Sequence, residues 1–330
     1  MRPMRGAPEA RPESGLLSLR DLDEVELRGI VARSVDLYEH PTAHDRPLAE
    51  KAIGVLFTKT STRTRTAFSV GAHRLGAHVL AYGPGDLQLN TGESLTDTAR
   101  ILGSMLDGLV ARTAGPLRDL RDLSRQGGIP VVNAMATEEH PTQGICDLAT
   151  IRLHRGNLRG VTVLYIGEGN NSATALAHGL AKVPSSTLTI ATPEGYGIPG
   201  DDLTVARTAG VSVGATVVTT TSMDDLPTDV DIIYTTRWQT TGTTKSDPDW
   251  RDAFRPFHID QALLARSPSA LFMHDLPASR GDEVSGAVLD GPRSIAWSQA
   301  AMKLSSAMAI LEFCAAGGRP RLPETDRDPR

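Results

Sequence analysis

The chain is poor in aromatic residues: 6 Phe, 5 Tyr and 3 Trp make up 4% of its 330 positions. So sparse a set argues against a stacking platform for single-stranded nucleic acid. Cysteine is scarcer still. Cys146 and Cys314 are too few for a disulfide framework or a zinc cage, and both read as buried thiols of a reducing compartment. Positive charge is not in excess, since 34 Lys and Arg face 39 Asp and Glu for a net charge of −5. That excludes a surface held to nucleic acid by global basicity. No apolar run approaches the roughly 18 residues of a membrane span, and the opening residues lack the hydrophobic stretch of a secretory signal. A soluble, cytoplasmic protein is expected. An apolar fraction of 40% is enough for a core, and at roughly 150 residues per domain the length suggests two domains.

What is present is a rhythm. Helical apolar spacing over 18–39 is followed by a short apolar run at 52–57, which reads as a buried strand. Helices over 61–75, 94–106, 117–126 and 141–154 then alternate with strands at 77–82, 108–111 and 129–134. After a break near 156–160 the pattern resumes with strands at 161–166, 186–191, 212–218, 231–235 and 270–273. A helix over 171–183 and a long final helix over 298–314 accompany them. Such alternation predicts an α/β fold of two doubly wound parallel sheets. The expected organisation is a disordered leader over 1–17, a first domain over 18–155 and a second over 156–297. A C-terminal helix over 298–316 and a disordered tail over 317–330 complete it.

In open parallel sheets ligands bind beyond the carboxyl ends of the strands, so the loops there carry the argument. The densest is Ser61-Thr62-Arg63-Thr64-Arg65, where hydroxyls and guanidiniums meet a helix start. Helix N-termini offer unpaired N–H groups, and Arg matches phosphate oxygens in a fork, so this is an oxyanion cradle. Its bland alternative is Ser/Thr capping with both Arg facing solvent. His140-Pro141-Thr142-Gln143 places a histidine at another strand end, where it could donate to a carbonyl oxygen. Gly167-Glu168-Gly169-Asn170-Asn171 lacks the third glycine and the acidic ribose partner of a dinucleotide turn, which disfavours a nicotinamide enzyme. His274-Asp275 reads as general-base machinery or as a metal pair, and the scattered remaining histidines speak against metal.

Taken in order, these motifs resemble the aspartate/ornithine carbamoyltransferase family, the ornithine branch above all, over roughly residues 18–316. Glu93 to Arg100, the His274-x-Leu276-Pro277 loop and the Gln299-Ala300 helix entry add to the likeness. The resemblance implies carbamoyl phosphate and an amine as substrates, no metal or organic cofactor, and a homotrimer with active sites shared between subunits. It implies that Ser61, Thr62, Arg63, Thr64 and Arg65 hold the phosphate. Gln88 aligns with a residue that a neighbouring subunit contributes. Arg112, His140 and Gln143 would contact the carbamoyl group, and Lys303 stands where an Arg is expected. On the acceptor side it points to Asn171, Thr236, Arg237, Gln239, Thr240, Asp275 and Leu276.

The acceptor side departs from the ornithine pattern. Asp275 replaces a Cys, Thr236 replaces an Asp that pairs with the ammonium of ornithine, and Thr240-Thr241-Gly242 replaces Ser-Met-Gly. Thr236-Arg237-x-Gln239 is closer to the aspartate enzymes, in which Arg and Gln bind a carboxylate. A lost carboxylate and a gained guanidinium invert the local charge. The expectation is therefore a non-standard amine bearing an anionic group, in a specialised-metabolite (antibiotic-type) pathway. Ornithine or aspartate carbamoyltransferase proper, and a silent carbamoyl-phosphate-binding homologue, are the alternatives. Asp275 would hold or deprotonate the amine, or merely cap its loop.

Overall fold

In a computed structural model, residues 12–42, 45–240 and 243–319 are described. Residues 1–11 and 320–330 of the expected leader and tail, and Thr241 and Gly242 of the acceptor turn, lie outside them. The first sheet contains β1 (Gly15–Leu16), β2 (Ala52–Phe57), β3 (His78–Tyr82), β4 (Gly108–Arg112) and β5 (Val131–Asn133), all parallel, in the order β1-β5-β4-β2-β3. The second contains β6 (Thr162–Ile166), β7 (Thr187–Ala191), β8 (Thr216–Thr220), β9 (Ile232–Thr235) and β10 (Leu271–His274), also parallel, in the order β10-β9-β6-β7-β8. In each sheet the strand order reverses beside its earliest long strand, between β2 and β4 and between β6 and β9. Those are the switch points at which ligand crevices open.

The long helices are α1 (Glu24–Glu39), α2 (Arg63–Arg74), α3 (Leu95–Met105), α4 (Leu117–Gly127), α5 (Pro141–Arg155), α6 (Asn171–Leu180) and α7 (Gly200–Gly210). After the short α8 (Trp250–Phe254), α9 (Gln261–Ala265) and α10 (Gly286–Leu289), α11 spans Ala296–Ala315. None of the described helices is long and apolar enough to cross a membrane. Helix α1 starts at a capping box, Asp23 taking the Glu26 N–H at 2.7 Å and Glu26 the Asp23 N–H at 2.8 Å. The terminal α11 returns to the first half, where Arg33 donates to Glu312 at 2.8 and 3.0 Å. A continuous apolar core runs from Val55 and Phe68 through Ile145, Leu148, Leu176 and Met308 to Val163 and Tyr234, so α5, α6 and α11 weld the two sheets together.

Two expectations change. The leader does not extend to residue 17: Gly15 and Leu16 pair with Val131 and Val132, and Leu16 and Leu17 are buried. Two adjacent leucines are worth burying, and the free edge of β5 accepts them. The strand expected at 212–218 starts later, because Val211–Val213 form a 3₁₀ turn closed by Gly214 at φ +69°. Elsewhere α3 crosses α4 through glycine. A Cβ on Gly103 would lie 2.0 Å from the Gly127 carbonyl oxygen. Gly103→Ala is expected to cost about 1–3 kcal/mol and several degrees of melting temperature. Gly200→Ala, with open space around it, should leave the melting temperature unchanged. Thermal unfolding of the pair checks this.

Candidate active site

The carboxyl ends of the two sheets face each other across a cleft of about 310 Å³. From the first half it is lined by Thr60 to Thr64 after β2, Arg112 at the end of β4, and Met135, His140 and Gln143 around β5 and α5. From the second come Asn170 to Ser172, Thr236, Arg237, Gln239, Thr240 and Asp275 to Pro277, and Lys303 enters from α11. Among the described residues its one acid is Asp275, and its cations are Arg63, Arg112, Arg237 and Lys303.

At the start of α2, Thr62 occupies the cap position without making a side-chain cap bond, so the capping alternative does not hold there. Thr60 to Thr64 of that turn line the cleft, where a helix N-terminus leaves backbone N–H groups without helical partners. Arg63 spans the cleft to donate to the Leu276 carbonyl at 2.8 Å. Burial lowers its pKa, and Asp275 raises it. Arg65 does not join it. That side chain is exposed and outside the cleft, because residues two apart on a helix face different ways. Gln88 is exposed as well, in a 3₁₀ turn away from this chain's cleft, where its side-chain oxygen takes the Thr91 hydroxyl at 3.0 Å.

Arg112 is 8% exposed, and its Nε has no hydrogen-bond partner. Burial brings its pKa down to about 10, with Asp275 opposing and Arg63 adding to the fall. His140 is buried and held well below its ordinary pKa by burial, Arg112 and Lys303, so the imidazole is neutral at pH 7. Its Nδ1 lies 3.2 Å from the Thr142 hydroxyl. If the hydroxyl donates there, the Nε2 proton is left for the cleft. Lys303 donates to Gln143 Oε1.

The His274-Asp275 pair divides its labour. His274 is fully buried: its Nδ1 accepts the Leu276 N–H at 2.8 Å and its Nε2 meets Glu283 at 3.1 Å. That pattern fixes the Nε2–H tautomer and makes the ring a brace for the loop, not a base. Asp275 turns to the cleft, and its carboxylate accepts the Ser172 hydroxyl at 3.1 Å. Among the described residues it accepts no backbone N–H, so it does not cap its loop. Burial raises its pKa, against the pull of Lys303, Ser172 and Arg63.

Thr236 is spoken for. Its hydroxyl meets Tyr165 Oη and the Asn170 amide, each at 3.0 Å. Asn171 donates to the Ala136 carbonyl at 2.8 Å and ties the halves together, while Gln239 donates to Thr243. Thr240 donates twice to Glu168, which also pairs with Lys245 in a box of Tyr196, Trp250 and Phe254. The Gly167-Glu168-Gly169 turn therefore braces the acceptor loop. Its Gly169 is needed because a Cβ there would lie 2.3 Å from the Ile198 nitrogen. Arg237 makes no ion pair among the described residues. Asn170 and Ser172 belong to the same glycine turn read from the sequence, but of that turn only Asn171 carries an expected site role there; their place at the start of a helix after a strand is the signal for the other two.

Three comparisons bear on this arrangement. Residues 15–153 match the family described as "Aspartate/ornithine carbamoyltransferase, carbamoyl-P binding domain", and residues 159–314 match "Aspartate/ornithine carbamoyltransferase, Asp/Orn binding domain". The ornithine carbamoyltransferase of Methylococcus capsulatus is 37% identical over 90% of this chain and 97% of its own. That of Gloeobacter violaceus is 37% identical over 93% and 96%. Among solved structures, ornithine carbamoyltransferase from Pyrococcus furiosus superposes with a TM-score of 0.86 at 33% identity, covering 94% of this chain and 99% of that one.

Proposed function

The chain belongs to the aspartate/ornithine carbamoyltransferase family and is a carbamoyltransferase, and from that premise we propose that its acceptor is ornithine. The observation that carries the reading is the likeness to ornithine carbamoyltransferases over nine tenths of the chain. It favours ornithine over the non-standard amine expected from the sequence. Support comes from the neighbouring strand end: His274 pairs with Thr235, so Asp275 stands beside Thr236 and restores a carboxylate to that side of the cleft. The cleft thus keeps one acid, and Arg237 stands available for the acceptor's carboxylate.

In this scheme Ser61, Thr62, Arg63 and Thr64 receive the phosphate at the α2 N-terminus. Arg112 and neutral His140 donate to the carbamoyl oxygen, and Gln143 Oε1 accepts from the carbamoyl NH₂. The uncharged δ-amine, directed by Asp275, attacks the carbonyl carbon and forms the C–N bond. Negative charge then grows on the oxygen held by Arg112 and His140. Collapse breaks the C–O bond to phosphate, which leaves with that electron pair, and Asp275 takes the amine's proton. A donor to such an oxygen contributes about 3 kcal/mol, and clamping both substrates between the sheets adds proximity. We place the enzyme in the cytoplasm as a homotrimer. Exposed Leu80, Ile101 and Met105 in the first half, and Leu89 next to exposed Gln88 in the chain, support that assembly.

The test is ureido-product formation from carbamoyl phosphate with ornithine, aspartate, putrescine, 2,3-diaminopropionate and 5-aminovalerate, read by mass. Ornithine is expected to lead. Faster turnover of 5-aminovalerate, which lacks the α-ammonium, would overturn the acceptor assignment, and no turnover of any amine would overturn the proposed catalytic scheme.

A further inference from the structure

Behind the cleft lies a carboxylate that the scheme above does not use. Asp147 is fully buried on α5, four residues after Gln143 and so on the same helix face. Its Oδ1 accepts from the Gln143 and Gln299 amides, each at 2.7 Å, and its Oδ2 accepts the Tyr234 hydroxyl at 2.9 Å. One carboxylate thereby joins α5, α11 and the strand β9 of the opposite sheet. Gln299 passes the link on, since its Oε1 takes the N–H of His274 at 2.9 Å at the root of the Asp275 loop.

We propose that Asp147 is a positioning residue that sets the polarity of the Gln143 amide, and so makes the cleft choose a carbamoyl group over an isosteric acetyl group. The Asp147 carboxyl turns Oδ1 to two amide NH₂ groups and so accepts there, and an ammonium only donates. Gln143 lies between one of each, with its Nε2 on Asp147 and its Oε1 on Lys303. The flipped amide would set carbonyl against carboxylate and NH₂ against ammonium, two repulsive contacts in a site sealed from water. The end of Gln143 at the cleft is therefore its carbonyl oxygen. An NH₂ on the bound phosphate compound can donate to that oxygen. A methyl group of the same size cannot, and it leaves the carbonyl without its ligand partner.

The inference rests on the carbamoyl phosphate reading, and the experiment separates the two. Calorimetry would measure binding of phosphonoacetamide, of 2-oxopropylphosphonate (its methyl isostere) and of inorganic phosphate. The wild-type enzyme is expected to prefer the amide over the ketone by about tenfold or more, the worth of one buried hydrogen bond. Asp147→Asn, which leaves Lys303 alone to orient the Gln143 amide, should weaken the preference by about threefold or more and leave phosphate binding unchanged. Gln143→Met should lose the same preference, and adding Asp147→Asn to it should cost nothing more. A preference that is undiminished in Asp147→Asn, or in Gln143→Met should the first variant not fold, overturns the inference. So does an equal loss for all three ligands, which would mean a merely structural role. A wild-type enzyme that binds none of them overturns the carbamoyl phosphate reading instead.

Discussion

Arg112→Met is expected to cut kcat/KM for carbamoyl transfer by about 10²- to 10³-fold, and at the same time to raise the melting temperature of the ligand-free protein. Both effects have one cause. The guanidinium is buried at the end of β4 beside Arg63, with its Nε unpartnered. Burial depresses its pKa from 12.5 to about 10, an internal cost of order 3 kcal/mol. The native state thus holds that proton less tightly than the unfolded chain, so the cost is present at neutral pH and fades only as pH rises through about 10. Met fills similar space without charge, and replacing a buried charge by an apolar group often stabilises. Thermal unfolding at pH 7 should show the variant higher by several degrees, with the gap narrowing toward alkaline pH. Inorganic phosphate should stabilise the wild type more than the variant. A variant that melts lower and turns over normally would refute the assignment.

The second large effect falls on the acceptor side. Asp275→Asn keeps the shape of the side chain and an oxygen for the Ser172 hydroxyl, but cannot take a proton. We expect kcat to fall about 10²-fold while the KM for carbamoyl phosphate stays within about twofold. Burial raises the Asp275 carboxyl above the usual range. Wild-type turnover should therefore decline as pH falls through that raised pKa and the carboxylate becomes neutral. The variant should lack this limb and follow only protonation of the amine. Near-normal turnover would mean that Asp275 merely packs in its loop. A matched rise in both KM values would mean that the substitution had loosened the cleft as a whole.

Much of the site was legible because local chemistry carried it. Hydroxyls and guanidiniums at a strand-to-helix junction mark an anion cradle whichever way the sheets are laid out, and His140-Pro141 marks a helix start in any fold. What failed was choosing between neighbours. Arg63 and Arg65 read alike, yet a helix turns them about 200° apart, and only Arg63 reaches the cleft. His274 and Asp275 also read as one unit. Strand alternation sends His274 into the core, and the turn after β10 delivers Asp275 to the cleft. Thr236 read as an acceptor contact standing where an Asp is expected, and its hydroxyl is held by Tyr165 and Asn170, residues far away along the chain.

Composition and periodicity by themselves determined the class of the molecule: an α/β chain of two parallel sheets, with anion-binding chemistry at the strand ends. Those features depend on contacts a few residues apart, which a linear pattern records. Tertiary structure alone decided that Leu16 and Leu17 belong to the first half and that the two switch points face one another. It also decided that Asp147, unremarkable in sequence, is the point where α5, α11 and β9 meet. The reason is physical: a buried carboxylate is defined by which donors surround it, and here three come from positions 143, 234 and 299, brought together only by the packing of two sheets on shared helices.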